Sequence, residues 1–152
     1  MDAAALTAAL SGLARGRRGR RLVSATIQPL EQGAFLRRYP PTDDGFAGVE
    51  ACFVPASWWA VTALCRVGDV AAAESRADDL CAALPPLQPE EWDVERNEAL
   101  GNTPLLWSHM EAARALYALQ REHIRHRYGS FGLGAWSAGR YLRLRTTRHR
   151  SS

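Results

Sequence analysis

Lysine is absent from this sequence: all 19 basic residues are Arg. With so much Ala beside it, this points to a GC-rich coding bias and not to a device for gripping anions. Cysteine is scarce as well. Cys52, Cys65 and Cys81 are odd in number and not closely paired, which argues against a disulfide framework and a thiolate zinc site. No run of about 18 uninterrupted apolar residues occurs, so no membrane-spanning helix is expected. No glycine loop suited to phosphate is present, and no cluster of His, Cys and carboxylates has metal-ligand spacing, so neither metal nor cofactor is expected. Residues 1–21 place their apolar part before their basic part. A secretory signal has the reverse order, so this stretch reads as a mature helix and the expected location is the cytoplasm.

What is present suffices for one globular domain. The chain has 152 residues, 47% of them hydrophobic. Its formal charge of +3 conceals an asymmetry. Residues 1–120 carry 11 Arg against 15 acidic residues, a net of −4, and residues 121–152 carry 8 Arg against Glu122 alone, a net of +7. The basic character belongs to the tail and not to the body.

Apolar spacing predicts a chain of helices. Residues 2–14 form the first, with Asp2 in its opening turn. A break follows at 15–19, then a weaker helix over 20–32 with Pro29 inside it. Residues 34–39 have the character of a short extended piece, followed by an irregular loop from Pro40 and Pro41 onward. Phe53–Val67 is apolar almost all round, which predicts a buried helix with Pro55 in its first turn and Gly68 as its stop. Asp69 is placed to cap the next helix, 70–84, whose apolar stripe is Val70, Ala73, Ala77, Leu80 and Leu84. The acidic, proline-rich stretch 85–102 reads as a long functional loop. Thr103 and Pro104 then open a helix over 104–126. The tail, 127–152, is rich in Gly, Ser and Arg without a period, and a flexible extension is expected.

Five patterns, in order, resemble the second half of glycoside hydrolase family 15, the family of bacterial glucoamylases, glucodextranases and some trehalases. Met1-Asp-Ala-Ala-Ala-Leu6 is similar to a helix start of that family, and Phe35-Leu36-Arg37-Arg38-Tyr39 to its strand-like piece. Asp44-Gly45 with Glu50-Ala51-Cys52-Phe53 resembles D-G-L followed by E-G-T-F. Ser57-Trp58-Trp59-Ala60 resembles S-F-W-L, with the turn Val67-Gly68-Asp69 after it. The most specific match is the last: Pro89-Glu90-Glu91-Trp92-Asp93, then Leu100-Gly101-Asn102-Thr103-Pro104, then Trp107-Ser108-His109, against S-E-E-x-D, L-G-N-x-P and F/W-S-H. Resemblance covers residues 1–120. Ala51-Cys52 departs from the family's Gly-Thr, and Leu105-Leu106-Trp107 is closer to the glucoamylase branch than to the trehalase branch.

The resemblance implies an all-α fold, about the last five helices of an (α/α)6 toroid over residues 1–126, with the basic tail beyond. It also implies inverting hydrolysis of an α-glucoside or oligosaccharide. That chemistry needs one carboxylic acid to protonate the leaving oxygen and one carboxylate to activate water, about 6.5–9.5 Å apart. Glu90 matches the family's general base, with Glu91 as the alternative. No residue here matches the general acid, so the expectation is a truncated or split form, inactive on its own, with the missing half encoded just upstream or supplied by a second chain. Glu50, Trp92, Asn102, Trp107 and His109 are candidates for holding sugar.

Without the resemblance, each of these residues has a plainer account. Glu90, Glu91, Asp93, Glu95 and Glu98 make a solvated acidic loop, Trp58, Trp59 and Trp107 belong to apolar helices, Asn102 shapes the turn before a helix, and His109 is a structural histidine. The competing functional expectation is a non-catalytic helical module for binding or interaction. The Arg- and aromatic-bearing tail suits a polyanion by composition, but a solvated extension explains it, and no nucleic-acid or membrane partner is expected.

Overall fold

The computed structural model describes residues 2–40 and 51–148, with side chains as far as Tyr141. The chain divides into a unit Met1–Leu119 and a second unit Gln120–Ser152.

In the first unit the Asp2 carboxylate accepts the Ala4 N–H at 2.8 Å and starts a 3-10 turn, Ala3–Leu6, that continues into α1 (Thr7–Leu10). Helix α2 spans Gly16–Ile27 and so begins inside the stretch where the sequence predicts a break. Within that stretch Gly19 serves a close approach and does not break the helix. A Cβ at that position would meet the Ala14 carbonyl oxygen at 2.8 Å and Val67 Cγ1 at 3.2 Å. The helix ends before Pro29, and what the sequence suggests as its last turn is instead β1 (Glu31–Gln32), paired antiparallel with β2 (Phe35–Leu36).

Helix α3 (Val54–Val67) is the centre of the unit, with 12 of its 14 residues buried. One side packs into a core of Phe35, Cys52, Trp58, Val61, Leu80 and Trp92, the other into a core of Leu6, Val23, Leu30, Leu36 and Trp59. Truncating Trp58, fully buried, would cost about 3–5 kcal/mol on the usual scale for buried aromatics. Gly68 ends α3 in the left-handed region at φ 82°, its N–H on the Cys65 carbonyl. Asp69 then accepts the Ala72 N–H and caps α4 (Val70–Ala83), which lays Ala73, Ala77 and Leu80 on α3. Cap, stop and stripe agree with the sequence.

The described residues are mostly helical, as the sequence suggests, but small sheets accompany the helices. The 85–102 segment contains a hairpin, β4 (Glu91–Asp93) and β5 (Glu98–Leu100), and β4 also pairs with β3 (Cys52–Phe53) in a three-stranded antiparallel sheet. Strands of two or three residues are too short to show a period of two. The last helix, α5 (Leu106–Arg148), starts two residues later than the sequence suggests. Thr103 does not cap it; Thr103 and Pro104 precede it and share a cis peptide bond.

In the second unit α5 is broken at Gly129 (φ 67°, ψ −172°) and is helical again to Arg148, where the sequence leads one to expect irregular chain. The Arg140 guanidinium lies over Trp136, 5.2 Å from the ring centroid, and the Arg125 guanidinium pairs with Glu122. No helix among the described residues is long and apolar enough to cross a membrane.

The three cysteines differ sharply in environment. Burial raises the Cys52 thiol to about 11, against a smaller lowering by Arg37, and Cys65 is also buried, whereas Cys81 is exposed on α4. Because the thiolate is the reactive form, a thiol reagent at pH 8 should label Cys81 alone in the folded protein and all three after denaturation, as mass spectrometry would count.

Candidate active site

The segment that links α4 to α5 is strapped down residue by residue. The Gln88 backbone N–H donates to His109 Nε2 at 3.1 Å, and its carbonyl accepts the Leu105 N–H at 2.9 Å. Its side-chain oxygen accepts Trp58 Nε1–H at 3.0 Å. The Pro89 carbonyl accepts the buried Ser108 hydroxyl at 2.6 Å. The Glu90 N–H donates to the Asn102 carbonyl at 2.9 Å, and the Glu90 carbonyl accepts the Val54 N–H at 3.0 Å. The start of α3, at Val54, and the turn at Asn102 thus hold the backbone of Glu90 from both sides, as a rigid support for a functional side chain requires.

The Glu90 side chain, half-buried, is fixed through one oxygen. Oε2 accepts the Asn102 side-chain N–H at 2.6 Å and the Asn102 backbone N–H at 3.2 Å. Gly101 permits this approach. It sits at φ 69°, and a Cβ there would stand 3.0 Å from both Glu90 Cβ and Oε2. A glycine is therefore required twice over, by backbone conformation and by contact.

The other acids of this segment have different employment. Asp93, at 5% exposure, caps its own turn: Oδ1 accepts the Glu95 and Arg96 N–H groups at 2.9 and 3.1 Å, and Oδ2 pairs with the Arg96 guanidinium at 3.1 Å. The Arg96 backbone N–H, and after it the Glu95 N–H and the Arg96 charge, hold the Asp93 carboxyl below its ordinary 3.8, against the opposing effect of burial. Glu91 lies on β4 opposite Phe53, and Glu95 and Glu98 are exposed.

The remaining candidates separate clearly. Trp92 is buried in the core and stacks on Phe35 at 6.1 Å and 12°. Trp107, at 46% exposure, is not core. Its ring meets Phe53 at 5.4 Å and Trp59 at 5.7 Å, and its Nε1–H donates to Glu111 Oε1 at 3.2 Å. The Arg38 guanidinium stands 6.0 Å from the Phe53 ring centroid. His109 accepts with Nε2, which places the proton of its neutral form on Nδ1 and gives it a structural tie to Gln88. Asn102 serves the Glu90 carboxylate. Glu50 lies outside the described residues.

Sequence reasoning does not find Gln88, Ser108 or Glu111. The i, i+4 spacing of Trp107 and Glu111 on one helix is the signal that the last of these offers. Glu111 is buried, and its second oxygen lies 3.1 Å from Arg114.

Against this geometry the relatives can be set. The chain is 35% identical over 89 residues to the trehalases of Mycolicibacterium smegmatis and Mycobacterium tuberculosis. That stretch is 57% of this chain and 13% of each trehalase. The similarity is to glycoside hydrolases, across a small part of their length. No family model matches the chain, and no solved structure matches it.

Two outcomes follow. Gly101→Ala should destabilise the fold by roughly 1–3 kcal/mol in a urea titration, since the left-handed backbone is strained with a side chain and Glu90 must move. Asp93 contributes stability that is present above its unfolded value and lost as pH falls through its lower folded value. The gap in urea midpoint between wild type and Asp93→Ala, open at pH 6, should therefore narrow below about pH 4.

Proposed function

We propose that this chain carries the general-base side of an inverting α-glucosidase site of the glycoside hydrolase family 15 kind, built on part of an (α/α)6 toroid. Glu90 is the base and Trp107 an aromatic wall for sugar. The observation that carries this reading is the strapping of Glu90. A lone acidic loop needs no such support, yet here both backbone polar groups and one carboxylate oxygen are fixed, and the chain has trehalase relatives. The Phe53–Trp59–Trp107 cluster supports the second part. Its half-exposed member is locked by ring contacts and by Glu111, which is how a sugar-stacking face is kept rigid.

The acid is not assigned to this chain. Asp93 is tied up by its turn; Glu111 is buried, gives Oε1 to Trp107 and keeps Oε2 within ion-pair distance of Arg114 without a hydrogen bond, so neither is presented at the surface. By the resemblance to the family, whose acid motif nothing in this sequence matches, we assign the partner carboxyl to another segment of the same protein or to a second chain. The competing reading, a non-catalytic interaction module, is favoured by one feature. Leu106, Met110 and Tyr117 form an exposed stripe along α5.

A substrate that needs no acid tests the base alone. In α-glucosyl fluoride the leaving group departs as fluoride without protonation. Water adds to the anomeric carbon, the C–F bond breaks, and Glu90 takes the water's proton, leaving β-glucose. The chain should release fluoride with inversion and leave trehalose intact, and Glu90→Gln should lower that release by about 10²-fold or more. Fluoride release indifferent to Glu90→Gln, or β-glucose absent from the early product by NMR, would refute the assignment.

A further inference from the structure

We infer that Asn102 is the positioning residue of Glu90 and that it selects which carboxylate oxygen acts. The inference rests on the reading of Glu90 as the base. Both Asn102 donors converge on Oε2, the side-chain N–H at 2.6 Å and the backbone N–H at 3.2 Å. The same residue's carbonyl accepts the Glu90 N–H at 2.9 Å. Three bonds from one residue therefore define the Glu90 backbone and the rotation of its carboxylate. Gly101 leaves room for the same oxygen, since a Cβ at that position would stand 3.0 Å from it. Oε2 is committed to the protein, and Oε1 is the oxygen left to take a proton from water.

This assigns Asn102 a different duty from holding sugar. It is exposed, and among the described residues its side-chain amide donates to Glu90. A sugar-binding amide would need that donor for a hydroxyl. The amide also cannot be exchanged for a carboxylate of the same shape. Aspartate at 102 would set an acceptor oxygen against Oε2 and turn the attraction into like-charge repulsion.

Two readouts test the assignment. In turnover of α-glucosyl fluoride, Asn102→Ala should lower kcat by about 10–100-fold with KM within about twofold, because the base is misplaced while the sugar contacts remain. The isosteric Asn102→Asp should lower kcat further. A rise in KM with kcat unchanged would return Asn102 to substrate binding and overturn the proposal. Independently of any turnover, side-chain 13C relaxation should show Glu90 in a single ordered rotamer in the wild-type chain and averaged in both variants, with the melting temperature little altered. Equal order of Glu90 in all three proteins would overturn it. Absence of fluoride release from the wild type would refute the glycosidase reading alone, and the relaxation result would still decide the role of Asn102.

Discussion

Helix α3 can be buried on every side only because the chain around it supplies partners for everything polar that it carries inward. Ser57 donates to the Phe53 carbonyl and accepts the Leu36 N–H, Thr62 returns its hydroxyl to the Trp58 carbonyl, and the Trp58 indole N–H reaches Gln88. At its far end Arg20 Nε donates to the Val67 carbonyl, which is left open by the end of the helix. An unmade bond at any of these buried groups costs about 1–3 kcal/mol. The helix therefore dictates where β2, α2 and the 88–90 segment must lie.

The placement of Glu90 is a consequence of that demand. Gln88 comes to the core to satisfy Trp58, and once there its own N–H and carbonyl are taken by His109 and Leu105. Two residues later the chain has one course left, between the Val54 N–H at the start of α3 and the 102 turn before α5. The candidate base is thus anchored both through the core, by way of Gln88 and Val54, and by Asn102 within its own segment.

The sequence makes some of this legible and hides the rest for definite reasons. The all-round apolarity of 53–67, Gly68 as a left-handed stop, Asp69 as a cap and the stripe of α4 are signals of period and local chemistry, and each is found in the structure. The β3–β4–β5 sheet is not legible, because Cys52–Phe53 and Glu91–Asp93 meet across nearly forty residues and are too short to carry a pattern. Glu90 stands out in the sequence only through resemblance, since five acids crowd one segment. The structure separates them by what each carboxylate binds. Trp92 and Trp107 look equally plausible as sugar contacts, yet β4 turns the first into the core and α5 leaves the second half-exposed. Trp92 stacks on Phe35 in the core and His109 accepts the Gln88 N–H, contacts that residue type alone does not reveal.

Helix α5 joins the question of the site to that of the surface. Its Ser108, Glu111, Ala112, Ala115 and Leu119 side is buried against the unit, as an amphipathic helix requires, but Leu106, Trp107, Met110 and Tyr117 give it a second apolar side that is exposed. Leaving that second side in water forfeits about 25 cal/mol for each Å² that could be covered. Trp107 belongs to that second face and to the aromatic cluster beside Phe53, whose neighbour Val54 holds Glu90. The exposed apolar side of α5 and the Glu90 carboxylate are therefore joined by one chain of contacts, through Trp107, Phe53 and Val54.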